Sequence, residues 1–323
     1  MKNVNSVLIL GAGASQEFGY PLGDGLKDRV VSVLSSSAFQ EELYNAYGFR
    51  PGVKDLIREF IISMKRDGSS TIDRFLLKSP KDYRWLGKVA IAKAIIDCED
   101  HQKLLNNNSW YSLLYEIMDK HPNIEEFGSS NINIITFNYD RSLEHFLHER
   151  LFGDYDGSKN HDKILAKLKK IAIIHVHGRV NPLPREDSGK GLPYGSKGFV
   201  PNIIEIAENM MLPDDSTVSN DIHNLIRSAD DIYFLGFGFH DSNLQKLDIK
   251  LISKCKHIFA TSHNIPAAKQ DIINDVFGQK KIKFYRSTVY DFFMDEFKPD
   301  KFSYIPDSLP IRYNARNFTG GSG

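Results

Sequence analysis

The chain has 323 residues, with 41 Lys+Arg balanced by 41 Asp+Glu, so no net field draws it to nucleic acid or an anionic membrane. Hydrophobic residues at 41% and charged residues at 25% are ordinary for a globular chain long enough for one large domain or two small ones. The two cysteines, Cys98 and Cys255, form no CxxC pair, which excludes a cysteine-rich structural zinc site; a disulfide stays open, but a reduced, cytoplasmic protein is the expectation.

The first residues, MKNVNSVLIL, hold too short an apolar core for a signal peptide, and no later stretch is long and apolar enough to span a bilayer. The run at 6–10 reads as a buried strand. It ends in Gly11, Ala12, Gly13, Ala14 and Ser15. A strand entering such a turn presents backbone N–H groups at a helix start, which suits a pyrophosphate. The dinucleotide fingerprint asks for Gly or Ala three residues after the second glycine, where this chain has Gln16. A tight strand–helix turn without a ligand explains the glycines as well.

More than a hundred residues follow with no convincing strand. Helical spacing dominates VKDLIREFIISMK, WLGKVAIAKAIIDCED and WYSLLYEIMDK. This is read as a helical module inserted at 25–129, packed over the C-terminal edge of a sheet. Within it, STIDRFLL places Asp73 beside an apolar run, where a helix start capped by Ser70 or Thr71 is the plain explanation.

Apolar runs at 132–137, 171–176, 231–235, 257–260 and 282–285 then read as further strands. Helical patterns lie between most of them, in SLEHFLHERLF, NLQKLDIKLI and IPAAKQDIINDVF. HDKILAKLKK is a basic helix face, read as solvated. Alternation of this kind predicts an α/β fold, a Rossmann-like, mainly parallel sheet with helices on both faces.

The polar residues cluster after strand ends. ITFNYD puts Asn138 and Asp140 just past a strand; Asn138 can orient a substrate or water but cannot titrate, and Asp140 can bond a ribose or cap the next helix. In IIHVHGRV the alternation of His175 and His177 predicts one shared face. No third ligand lies nearby, so no metal is expected, and His177, before Gly178, is read as a general base. The segment at 181–198 has three prolines and four glycines and no periodicity, which fits either a lid or a surface excursion. IYFLGFGFHDSNL supplies a second glycine turn, Gly236, Phe237 and Gly238, with Asp241, Ser242 and Asn243 opening a helix. Thr261, Ser262 and Asn264 follow the next strand, where they can bond an adenosine ribose or ring, or be ordinary loop polarity.

In their order, GAGAS, TFNYD, HVHG and GFGFHDSN resemble the successive core motifs of the sirtuin-like family, closer to its bacterial branch than to the protein deacylases. The resemblance spans residues 5–290, and STIDRFL is similar to a segment of that branch's helical module. It implies an NAD-binding core at 1–24 and 130–297, with an irregular tail at 298–323. Gly11, Ala12, Gly13, Ala14 and Ser15 match the pyrophosphate turn; Asn138 and Asp140 match the family's Asn and Asp, with Phe137 where Gln is common; His177 matches the catalytic histidine. Gly236, Phe237, Gly238, Asp241, Asn243, Thr261 and Ser262 fall on the adenosine side.

The family's deacylases carry four zinc-binding cysteines, which two cysteines cannot supply. Relatives without that zinc module are similar to NAD-cleaving effectors of bacterial anti-phage defence. The resemblance therefore implies an NAD glycohydrolase that uses NAD as substrate and needs no metal, with Asn138 and His177 central and Asp140 and Asp73 supporting. It further implies a homo-oligomer, or a partner such as a hexameric translocase ATPase or an Argonaute, with no direct contact to nucleic acid or membrane. An NAD-dependent protein deacylase and a nucleotide-sensing module without catalysis are the alternatives. A dehydrogenase fits worst, because the fingerprint is incomplete and no separate substrate domain is evident.

Overall fold

The computed structural model describes residues 4–46, 52–69, 71–119, 123–128, 131–183, 191–198, 200–212, 220–278 and 282–297. The tail at 298–323, the centre of the 181–198 segment and Ser70 lie outside them. Six strands, β1 (Ser6–Leu10), β2 (Ile132–Thr136), β3 (Ile173–His175), β4 (Asp231–Leu235), β5 (His257–Thr261) and β6 (Lys283–Tyr285), form one sheet in the order β3-β2-β1-β4-β5-β6. Every pairing is parallel. This is a Rossmann-like α/β fold. The strand order reverses beside β1, and the crevice beyond the carboxyl ends of β1, β2 and β4 is where such sheets bind ligands.

Both faces of the sheet are covered, which explains why its strands read as unbroken apolar runs. Between β1 and β2 lie α1 (Gly23–Ser35), α2 (Ser37–Ala46), α3 (Val53–Arg66), α4 (Ile72–Leu77), α5 (Lys81–Ile96), α6 (His101–Leu104) and α7 (Trp110–Met118). These helices are not a separate body. Leu34, Phe60, Ala90 and Leu114 share one continuous core with Leu8, Leu10, Ile134 and Leu235 on a sheet face. The helical insertion thus packs on a face of the sheet and also reaches its C-terminal edge, where Leu26, Thr71, Asp73 and Ile95 line the cavity and Trp110 Nε1 donates to the Ala14 carbonyl at 2.7 Å.

After β2 come α8 (Ser142–Asp154) and α9 (Gly157–Lys170); after β3, α10 (Val200–Asn209) and α11 (Asn220–Ser228). Helices α12 (Asp241–Leu244), α13 (Ile249–Ile252), α14 (Ala267–Phe277) and α15 (Val289–Asp295) complete the chain as described. Val7, Ile9, Ile135 and Phe234 point to the second face, where Ile226, Ile252, Ile273 and Phe277 from α11, α13 and α14 meet them. Each such side chain fully withdrawn from water contributes about 1.5–3 kcal/mol.

Two sequence expectations need correction. NLQKLDIKLI is not one helix: the chain turns between α12 and α13, and the Asp248 carboxylate accepts the Leu251 N–H at 3.1 Å to start the second. A local side-chain acceptor competes with helix continuation at such a residue. Strand β3 also ends early, at His175, and Val176 and His177 belong to a turn.

Candidate functional site

The turn after β1 is held by the turn after β4. Gly11 and Gly13 donate their N–H groups to the carbonyls of Leu235 and Gly236, each at 3.0 Å. A Cβ on Gly236 would lie 2.2 Å from the Ala14 nitrogen, and one on Gly13 2.8 Å from the Gly236 Cα. Gly236 also has φ +57°, a left-handed conformation that suits glycine. The two glycine motifs therefore interlock, backbone on backbone. The path beyond Gly11 is a pair of 3₁₀ turns, Ala12–Ala14 and Gln16–Phe18, and the α-helix starts only at Gly23, so the expected helix start directly behind the glycines is absent. The N–H groups of Ala14 and Ser15 close these turns on Gly11 and Ala12.

A cavity of about 430 Å³ runs along this edge. Its volume lies in the range of small-molecule sites. It gathers Gly11, Ala12, Gly13 and Ser15 with Asn138, Asp140 and Asp73 at one end. Gly236, Phe237, Gly238, Asn243 and Thr261 line its other part. Ala14, Asp241, Ser262 and His177 do not line it.

Asn138 is fixed in orientation. Its Nδ2 donates to the Gly11 carbonyl at 3.0 Å and to the Ser15 hydroxyl at 2.9 Å. Because a carbonyl can only accept, the NH₂ must lie on that side, and Oδ1 is the atom left for a ligand. The Ser15 hydroxyl in turn donates to Asp140 Oδ2 at 2.8 Å. Asp140 Oδ1 accepts the Ser142 N–H at 3.2 Å and the Ser142 hydroxyl, while the Tyr111 hydroxyl bonds Ser142 Oγ at 2.8 Å. Asp140 thus holds the first N–H of α8 and braces the glycine turn at once. Burial pushes its carboxyl above the ordinary range, and the Ser142 and Ser15 hydroxyls pull it partway back.

Asp73, from the first turn of α4, accepts the Tyr139 hydroxyl at 2.8 Å, and burial raises its pKa despite that bond. Thr71 caps this helix, its hydroxyl accepting the Arg74 N–H at 3.3 Å.

The two histidines of HVHG part company, against the shared face that strand alternation predicts. His175 bonds the Asn138 carbonyl through Nδ1 at 3.0 Å and Glu144 Oε1 through Nε2 at 2.7 Å. Arg179 meets the same Glu144 oxygen at 3.0 Å. Burial lowers the His175 pKa, but the Glu144 carboxylate outweighs it and the net shift is upward. Burial likewise opposes ionisation of Glu144, yet His175 and Arg179 bring it down to about 2. This is a structural ion pair that fixes the loop carrying Asn138.

His177 is 3% exposed, packed edge-on against Phe137 at 5.4 Å and tilted toward Tyr139 at 6.2 Å. Neither of its ring nitrogens has a hydrogen-bond partner among the described residues. Burial drops its pKa to about 4, with the Asn243 side chain raising it and Lys246 lowering it further. It stands one layer behind the cavity wall formed by Phe137, Tyr139 and Asn243. Among the described residues no group of three or more His, Cys, Asp or Glu side chains is gathered as a metal site.

On the β4–β5 side, the expected ribose contacts are partly occupied. Thr261 Oγ1 accepts the Gly236 N–H at 2.9 Å, and the Ser262 hydroxyl donates to the Tyr285 carbonyl at 3.0 Å. Asn264 does line the cavity, together with residues that sequence reasoning missed: Tyr20, Tyr139, His240, His263, Lys269 and Ser287. The HD dipeptide at 240–241 was a usable signal for His240; Lys269 reads in sequence only as a solvated helix position.

The described parts of the 181–198 segment are strapped down. Arg141, wholly buried, bonds Glu99 through Nε at 2.7 Å and Nη2 at 3.0 Å. It also donates to the carbonyls of Pro182, Leu192 and Pro193, while the Gly195 N–H reaches Glu99 at 2.8 Å. The Tyr194 hydroxyl meets that of Tyr20, at the cavity, at 2.9 Å. A free-swinging lid does not fit these anchors; the stretch at 184–190 lies outside the described residues.

No family model matches the chain, and no curated protein matches it in sequence. Among solved structures it is similar to one described as a mutant Sir2 homologue in complex with 2′-O-acetyl ADP ribose, at 12% identity and a TM-score of 0.42, over 90% of this chain and 88% of that one.

Proposed function

We propose that the chain is an NAD glycohydrolase, which breaks the bond between nicotinamide and ribose to give nicotinamide and ADP-ribose. The observation that carries this reading is the placement of Asn138. Its carboxamide is locked by the glycine turn and Ser15, with Oδ1 left over at a cavity that both glycine turns line. Gly11 and Gly13 are needed for the two turns to interlock, because added Cβ atoms there would collide with the Gly236 turn, and this packing shapes the cavity wall.

In the reaction the C1′–N bond breaks and its electron pair cancels the nicotinamide charge. The ribose takes on oxocarbenium character, water oxygen bonds C1′, and a base removes the water's proton. Nicotinamide needs no acid to leave, so positioning and charge placement do most of the work. Asn138 Oδ1 accepts from the attacking water or a ribose hydroxyl. Asp140 acts through Ser15 on that amide and is a positioning residue. Asp73 faces the same end of the cavity.

His177 is assigned the base. The imidazole is buried with the Asn243 side chain as the one hydrogen-bonding group acting on it, and a buried polar group so poorly satisfied fits a functional role. Its lowered pKa keeps it neutral at pH 7. Movement of Phe137 off the ring is required to bring it to the cavity. An NAD-depleting role in bacterial anti-phage defence, exercised as a homo-oligomer or with a translocase ATPase or Argonaute partner, goes with this reading.

The burial of His177 favours one second reading, a dinucleotide-binding module without chemistry. Incubation with NAD and measurement of released nicotinamide decides between them. Release that is lost in both Asn138→Ala and His177→Ala supports the hydrolase; tight NAD binding with no release supports the module.

A further inference from the structure

We propose that the β4–β5 end of the cavity is built for a 2′-phosphate on the adenosine ribose, so that the phosphorylated dinucleotide, NADP, is the preferred ligand. This rests on the reading that the cavity holds a nicotinamide dinucleotide. Sites of this fold class that select NAD place an acid on the ribose hydroxyls, and sites that select NADP place a cation there. The loop following β5, Thr261 to Ile265, contains no acid.

Instead the cavity meets Lys269, His263 and His240 at this end. The Lys269 ammonium bonds only the Gly238 carbonyl, at 3.1 Å, and no carboxylate neutralises it among the described residues. It therefore has protons to donate. The His240 ring lies 3.0 Å from where a Cβ on Gly238 would sit. Burial, then the Lys269 charge, holds the His240 pKa below its usual value, while Asp241 and Asp24 act in the opposite direction. Asp24 is the carboxylate that lines this end, and it belongs to the exposed first turn of α1 rather than to the strand edge. The Ser287 hydroxyl, also lining the cavity, is buried without a hydrogen-bond partner among the described residues. Lys269 is exposed at the rim of the cavity, and an anion there gains a charge-assisted partner that a bare ribose diol does not offer.

Calorimetric titration of the full chain with NAD, NADP, AMP and adenosine 2′,5′-bisphosphate tests this. One charge-assisted hydrogen bond corresponds to about a tenfold preference, expected for NADP over NAD and for the bisphosphate over AMP. Lys269→Ala brings both ratios close to one, and Lys269→Arg keeps them above one. A wild-type ratio at or below one, or a ratio that Lys269→Ala leaves unchanged, overturns the proposal while leaving dinucleotide binding intact. Absence of binding by all four overturns both readings. Binding with the 2′-phosphate preference but no nicotinamide release supports this proposal and removes the hydrolase.

Discussion

Replacing Arg141 with Ala tests whether the stretches at 181–183 and 191–198 are anchored by a buried clamp. The guanidinium makes two bonds to the Glu99 carboxylate, at 2.7 and 3.0 Å, and both side chains are 0% exposed. Its other N–H groups serve the Pro182, Leu192 and Pro193 carbonyls. Removing it leaves a carboxylate in the interior with the Gly195 N–H as its remaining partner in this network. Breaking one side of a buried pair costs about 3–5 kcal/mol. At about 2–4 °C per kcal/mol for a large domain, the melting temperature falls by roughly 10 °C. The loss depends on pH. Burial already raises the Glu99 pKa above 4.5, and without the guanidinium it rises further, so the folded variant must hold a proton that the unfolded chain releases above about that pH. The destabilisation therefore grows from pH 5 to pH 8, and adding Glu99→Gln removes that growth. Thermal melts of the three proteins at both pH values measure this. A melting temperature within about 2 °C of the parent, or a pH-independent loss, refutes the clamp.

The interlocked turns predict that Gly236→Ala, with its 2.2 Å approach to the Ala14 nitrogen and positive φ, weakens both folding and dinucleotide binding, seen as lower soluble yield and a melting point lowered by several degrees. His175→Ala lowers the melting temperature through loss of the Glu144 pair. That pair's stabilisation falls away in acid as pH drops from 4.5 toward 2 through Glu144, and in alkali as pH rises from 6.5 through the raised His175 pKa; parent and variant melts converge at both extremes. If His177 is the base, the acid limb of kcat/KM for NAD cleavage lies nearer pH 4 than 6.5, and full activity at pH 5.5 reports it. A limb centred at 6.5 contradicts the assignment.

The sheet was legible because its central strands, β1, β2 and β4, are buried on both faces and read as bounded apolar runs. Strand ends were less so: the run at 171–176 looked continuous, but the chain enters the turn ahead of Gly178 at Val176, and this separates His175 from His177. Asn138, Asp140 and the two glycine turns were found because they follow strand ends, where the fold collects polar groups. What sequence could not convey was competition inside the protein. Thr261 and Ser262 have the right chemistry for a ribose, yet backbone groups of Gly236 and Tyr285 take their hydroxyls. The role of Arg141 depends on Glu99 and Pro182, distant in sequence on opposite sides of it.

The central claim is that a dinucleotide lies across this sheet edge with its glycosidic carbon at Asn138. Chromatographic analysis of NAD incubated with the full chain, alone and with products of neighbouring genes, tests it most directly. The account predicts equimolar nicotinamide and ADP-ribose from the parent protein. It predicts at least about a hundred-fold slower release from Asn138→Ala and His177→Ala, both of which remain folded. Equal rates from parent and both variants contradict it.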